Sequence, residues 1–411
     1  METPHKARHN MHHASASSCR FTQPGFGGCG MRMRTFVISG TAIMFTLCGL
    51  LSAAPATGMM VEANAALIDH QVDRPFHEQE VTFSGAEDFQ LRGTLTLPKR
   101  AKEDEETTFI GVLLLPGSGP TDRNGNQPPR LMTNLLRDVA HDLAKADVAT
   151  LRFDKRACLV YHERWPRESL EALNEFFDWP HFLNDAAAAF RFLREHDRVD
   201  AERTIILGHS EGGLIALQVA QMLGEDDEAS TAPPRGLILA GTAGRTLDHL
   251  LREQISRTAG RVVTDEAQLE RIMADLERAM SAVKDDEPVP DDLHPMLGTL
   301  FSPAARNVIR AYLTVDPLPY ARTYDGPVLV VNGQFDAQVS AEIDLKRLRE
   351  ALESRESSSV TARVIPAASH NFKIVESHDD PGFVGPVSPQ LLAIVRQWID
   401  ATMTETESES E

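Results

Sequence analysis

The stretch "IILGHSEGGLIAL", residues 205–217, places one hydroxyl among three glycines, between an apolar run and a helix-periodic run. Ser210 stands between Gly208 and Gly212, after a predicted strand and before a predicted helix. In that context Gly-x-Ser-x-Gly implies a turn sharp enough to lift the hydroxyl above a sheet edge, with glycines allowing strand and helix to approach closely. The helix start also directs backbone N–H groups at a developing negative charge. The chemistry this suits is nucleophilic attack.

A serine hydroxyl is a weak nucleophile until a base takes its proton and a third group orients that base. Two downstream segments supply such groups. "PVLVVNGQFDAQVS" reads as a strand followed by a loop carrying Asp336, and "ARVIPAASHNF" as a strand followed by His370. Both fall at strand ends, where open α/β sheets bind ligands. Asp316 and Asp325 are rival acids, but they precede a strand instead of following it. His378 lies in a Pro/Gly-rich loop, and His209 adjoins the nucleophile on so tight a turn that it points elsewhere. The chain order Ser, Asp, His is that of α/β-hydrolases.

An oxyanion formed on attack needs two donors. The N–H of Glu211, just after the nucleophile, is one; the N–H of Ser118, in the loop "LPGSGPTDRNGN", is the other. For Asp122 and Arg123 in the same loop two readings stand, a mutual ion pair or two solvated charges.

These residues need a scaffold that brings separate strand ends together. "EVTFSG" and "QLRGTLTLP" alternate as an antiparallel pair. After the charged run Ala101–Glu106, short apolar runs ("FIGVLLLP", "VATLRFD", "TIILG", "GLILAG", "PVLVVNG") alternate with helix-length segments. The expected architecture is an α/β fold, a mostly parallel sheet with helices on both faces. Residues 243–320 lack a convincing strand and carry helical spacing, so a helical cap insertion is expected there, with a peripheral embellishment as the other reading. The acidic tail 403–411 is expected to be disordered.

Composition limits the partners. The chain has 411 residues and a formal net charge of −19, which argues against nucleic acid and anionic lipid, since phosphate binding needs clustered Lys and Arg. Residues 1–65 read as a leader with a signal peptide: Arg32 and Arg34 precede "TFVISGTAIMFTLCGLL", and small residues follow, placing cleavage around residues 54–65. The expectation is export to the periplasm or medium. An uncleaved anchor is the alternative, and only then is a membrane a partner. His5, His9, His12, His13, Cys19 and Cys29 fit no zinc template; translation starting near Met31 accounts for that segment better than a metal site. Beyond the leader, residues 66–411 form the expected hydrolase domain with a single cysteine, Cys158, so no internal disulfide is possible there. No metal or organic cofactor is called for, and nothing in the sequence sets an oligomeric state.

On "LPGSGPTDRNGN", "LRFDKR", "GHSEGG", "NGQFDAQV" and "ASHNF", the stretch from about Glu80 to Ala401 resembles the α/β-hydrolase superfamily, in particular bacterial secreted serine esterases related to dienelactone hydrolases and prolyl-oligopeptidase-type catalytic domains. The resemblance puts the nucleophile on Ser210, the acid on Asp336, the base on His370 and the oxyanion donors on Ser118 and Glu211. Pro116 departs from the family's frequent His before the oxyanion glycine. "DKRACLVYHERW" replaces its Gly-rich turn, leaving Tyr161, Trp165, Phe176, Phe177 and Trp179 either to line an acyl pocket or to pack.

The expected function is a serine hydrolase, carboxylesterase-like, acting on a small-molecule ester through an acyl-enzyme. The alternatives are a peptidase of prolyl-oligopeptidase type, for which the stretch before the domain is too short to hold a propeller, and a non-catalytic binding protein, which has no need of all three groups.

Overall fold

The computed structural model describes residues 74–99, 107–129, 131–225, 232–298, 300–356 and 359–409. The leader, its cleavage site and the charged run 101–106 lie outside the described residues.

Eight strands form one sheet: β1 (Phe76–Ser84), β2 (Gln90–Pro98), β3 (Phe109–Leu115), β4 (Val148–Phe153), β5 (Val199–His209), β6 (Gly236–Ala240), β7 (Val328–Gly333) and β8 (Val360–Ile365), in the order β1-β2-β4-β3-β5-β6-β7-β8. β1 pairs with β2 and β2 with β4 in antiparallel fashion; every other pairing is parallel. The central strands are apolar on both faces because helices cover both. Alternate residues serve opposite layers, as the two-residue strand period requires. Val112, Leu114, Ile205, Leu207, Ile238, Leu329 and Val331 face one core, with α1 (Leu135–Ala144) and the C-terminal helix; Leu113, Leu115, Ile206, Leu237, Leu239, Val328 and Val330 face the other.

That second core also takes α2 (Leu170–Phe176), α3 (Trp179–Arg194), α4 (Glu211–Gly224) and the chain between β6 and β7. Here α5 (Leu247–Val262), α6 (Glu266–Lys284), a short turn of helix at Pro295–Gly298, α7 (Arg306–Thr314) and α8 (Pro317–Thr323) follow one another with no intervening strand among the described residues. Leu251, Ile255, Ile272, Leu276, Val308 and Leu313 from these helices join the core of the sheet face, so the segment is packed into the domain and not appended to it. The helix α9 (Lys346–Glu353) then leads to β8.

The acidic tail departs from expectation. The last helix, α10 (Pro389–Glu409), runs through most of it. Leu391, Val395, Ile399 and Met403 recur every four residues and are buried against the sheet, so one apolar stripe carries the helix into a segment whose composition alone suggested disorder.

Candidate active site

The parallel register brings five strand ends to one edge. Leu115 of β3 is level with Gly208 of β5, His209 with Ala240 of β6, Ala240 with Val331 of β7, and Gly333 with Ile365 of β8. Every residue assigned chemistry in the sequence follows one of these ends.

Ser210 sits between β5 and α4 at φ 56°, ψ −118°, a conformation unfavourable for a residue with a Cβ. Its N–H donates to Ala240 O at 2.8 Å, and its carbonyl accepts from Gly213 N at 3.0 Å. The glycines around it are dictated by space: a Cβ on Gly208 would lie 2.1 Å from Gly212 O, one on Gly212 would lie 2.5 Å from Leu115 O, and one on Gly213 would lie 1.9 Å from Thr242 Oγ1. Gly213 and Thr242 were not singled out from the sequence; the third glycine of "GHSEGG" was their trace.

Asp336 and His370 come together across 34 residues of chain. His370 Nδ1 lies 2.7 Å from Asp336 Oδ2, both side chains buried. The other oxygen, Asp336 Oδ1, accepts from the N–H groups of Gln338 and Val339 at 2.8 Å each, which locks the carboxylate before it meets the imidazole. Gly241, at φ 59°, closes on the pair from β6: a Cβ there would be 3.4 Å from His370 Nδ1. Of the rivals, Asp316 caps α8 by accepting from Leu318 N, Asp325 is exposed before β7, and His378 is exposed and packs edge-on to Phe335. His209 points behind the turn, where its Nε2–H donates to the carbonyl of His370 at 3.0 Å. Burial and the neighbouring His370 push its pKa down to about 3, so it stands neutral.

Ser118 and Glu211 flank Ser210 along a shared cavity of about 50 Å³. Ser118, Ser210, Glu211, Leu214, Ala243, Arg245, Leu247, Leu250, Tyr312, Val315, Pro317 and Val339 line it. Seven of these come from the segment between β6 and β7, which therefore supplies most of the wall opposite the serine. The walls are mostly apolar, and the Arg245 guanidinium is taken up by Asp344 at 2.8 Å and Glu253 at 3.0 Å.

The loop that carries Ser118 is held otherwise than expected. Arg123 pairs not with Asp122 but with Asp154, through Nε at 3.1 Å and Nη2 at 2.7 Å, and with Glu80 at 2.6 Å. Asp122 instead accepts from the N–H groups of Asn124 and Asn126, closing the turn. Thr121 Oγ1 and Gln127 Nε2 each donate to Ser118 O at 2.8 Å. The aromatic residues of the 157–179 loop resolve as packing: Phe176 and Phe177 stack edge-on, Trp165 meets Phe177, and the phenolic oxygen of Tyr161 accepts from Arg92 N at 2.6 Å. None lines the cavity, although Trp179 backs its wall residue Tyr312 at 4.8 Å.

Lys155, in "LRFDKR", was given no role from the sequence. Its Nζ is buried 2.5 Å from Glu211 Oε1 and 3.3 Å from Gly117 O. Burial pushes the Glu211 carboxyl up, against the pull of that ammonium. Two opposite charges inside an apolar turn were the available signal, since each required a partner.

A family model described by its alpha/beta hydrolase fold matches residues 177–374, the span that holds Ser210, Asp336 and His370. With the strand order above, that match gives the chain an α/β-hydrolase fold. Esterase EstD of Thermotoga maritima is similar to this chain at 26% identity over 285 residues, 69% of this chain, which spans 58% of that esterase's length. A probable 2-oxo-3-(5-oxofuran-2-ylidene)propanoate lactonase of a Bradyrhizobium species is 36% identical over 86 residues, 21% of this chain and 35% of its own. Among solved structures, a dienelactone hydrolase from Anabaena variabilis aligns with a TM-score of 0.42 at 19% identity, covering 80% of this chain and 98% of its own. Among the described residues, no group of three or more His, Cys, Asp or Glu side chains is placed to hold a metal ion, and no helix is long and apolar enough to cross a membrane.

Proposed function

We propose that this α/β-hydrolase cleaves carboxylic esters through a covalent acyl-enzyme. The observation that carries the reading is the 2.7 Å contact between His370 Nδ1 and a carboxylate already fixed by two backbone donors, at the sheet edge where Ser210 stands. His370 removes the Ser210 proton as Oγ attacks the ester carbonyl, and Asp336 stabilises the imidazolium so formed. The backbone N–H groups of Ser118 and Glu211 receive the charge on the carbonyl oxygen. Collapse of the tetrahedral intermediate breaks the C–O bond, and His370 returns the proton to the leaving alcohol. Water, deprotonated by the same histidine, then releases the acid and restores Ser210. The likeness to Esterase EstD supports ester over amide as substrate. The narrow apolar cavity, walled by Leu250, Tyr312 and Val315, favours short acyl groups.

A fluorophosphonate probe tests the chemistry, and p-nitrophenyl esters from acetate to palmitate test the substrate class beside a set of peptide amides. The reading expects labelling, turnover of short esters and little amide cleavage. Amide turnover alone would move the assignment to a peptidase, and absence of labelling would move it to a binding protein. Export rests on the leader, and fractionation of cells producing the full chain tests it.

A further inference from the structure

Lys155 is a buried lysine that the mechanism above does not use. It follows β4, and its ammonium reaches two places at once: the carboxylate of Glu211 and the carbonyl of Gly117. Both neighbours belong to the segments that bear the oxyanion donors. The peptide between Gly117 and Ser118 is planar and trans, so its C=O and N–H point in opposite directions. A group that holds Gly117 O therefore fixes where the N–H of Ser118 points. That peptide lies directly against the nucleophile, since a Cβ on Gly117 would be 3.3 Å from Ser210 Cβ. The next carbonyl, Ser118 O, is held separately by Thr121 and Gln127, whereas Lys155 bears on the donor peptide through Gly117 O.

Stability is a poor reason for such a pair. Two charges taken out of water seldom gain on balance over apolar residues of the same size, and Lys155 lies beside Phe153, Phe182 and Ile215, where an apolar side chain would fit. A geometric task accounts for it better.

We propose that Lys155 is a positioning residue that holds the Gly117–Ser118 peptide with its N–H turned to the oxyanion, and that Glu211 neutralises it while its own N–H supplies the second donor. The proposal rests on the serine-esterase reading. Without the ammonium the peptide loses this hold on its carbonyl, its N–H turns from the oxyanion, and the loss is felt in the transition state, where the negative charge develops.

The test compares the wild type, Lys155→Met and the double variant Lys155→Met/Glu211→Gln, which leaves no unpaired buried charge and so keeps the fold. Ester kinetics are measured beside the affinity for a trifluoromethyl ketone, whose hydroxyl addition product carries an oxyanion. In both variants kcat is expected to fall roughly 100-fold, the scale of one lost oxyanion donor, with KM changed less than about threefold and ketone affinity falling in step with kcat/KM. Wild-type kcat or ketone affinity in the double variant would overturn the proposal and show that the single substitution acts only through a stranded carboxylate. A change confined to KM would also overturn it. If the wild type is neither labelled by a fluorophosphonate nor turns over esters, the underlying reading fails, and this proposal with it.

Discussion

His209 Nε2 donates to the main-chain carbonyl of His370 at 3.0 Å, so the residue before Ser210 holds the backbone of His370. Burial first and the neighbouring His370 second hold the pKa of His209 near 3, so the donating imidazole is neutral, although the hydrogen bond itself favours the protonated ring.

This sets a pH dependence of stability. In the unfolded chain His209 titrates near its ordinary value of about 6.5, whereas folded it stays neutral down to about 3. Between those values the unfolded state binds more protons, so stability is full above about 6.5 and is lost as pH falls through the window. At pH 4 the deficit is about 3 kcal/mol. Urea unfolding at pH 7 and pH 4 should show a smaller loss in His209→Gln than in the wild type; equal losses would mean that His209 is not the acid-sensitive group.

Ser210 is held in a conformation that suits glycine. Ser210→Gly should therefore raise unfolding stability by about 1 kcal/mol while abolishing ester turnover. A variant no more stable than the wild type would show that the turn is not strained. The opposite signs of the two effects separate catalytic from structural roles at one position.

The pair Arg156–Asp185 is buried on both sides and bidentate, with Nε at 2.7 Å and Nη2 at 2.6 Å. Asp185 Oδ1 also accepts from Ala86 N at 2.9 Å, tying the first hairpin to α3. Arg156→Leu strands that carboxylate and should cost about 3–5 kcal/mol. Calorimetry or urea unfolding measures it, and a loss below about 1 kcal/mol would contradict the assignment.

Tyr312 and Leu250 wall the cavity from the segment between β6 and β7. Tyr312→Ala should open it toward longer acyl chains, shifting the octanoate-to-acetate ratio of kcat/KM about tenfold, or roughly 1.4 kcal/mol of differential transition-state binding. An unchanged ratio in a folded variant would move acyl selection elsewhere. A point change is the better instrument here than excising Leu247–Val283, because Leu251, Ile255, Ile272 and Leu276 are part of the core.

The sheet and its active edge were legible because local pattern and chemistry agree there: apolar runs end where Gly208, Asp336 and His370 begin, and a parallel register then brings those ends together. Partner choice among charges was not. Arg123 lies beside Asp122 in sequence, yet it pairs with Asp154 and Glu80, which only the strand order β1-β2-β4-β3 brings near. Lys155 and Glu211 are 56 residues apart and meet for the same kind of reason. The aromatic residues of the 157–179 loop could not be divided between pocket and packing without knowing that Tyr312 of α7 takes the cavity wall and that Trp179 packs behind it. In the tail, a stripe of four apolar residues outweighed the acidic composition, and composition carries no register.

Ester cleavage as proposed depends first on Ser210 as the nucleophile. Intact-mass analysis after fluorophosphonate treatment, run beside p-nitrophenyl acetate turnover on the wild type and Ser210→Ala, should show one adduct on the wild type, mapped to Ser210, with none on the variant, and a fall in kcat of at least about 10⁴-fold at an unchanged unfolding midpoint. A folded Ser210→Ala protein that still labels or retains most of its ester turnover would contradict the account.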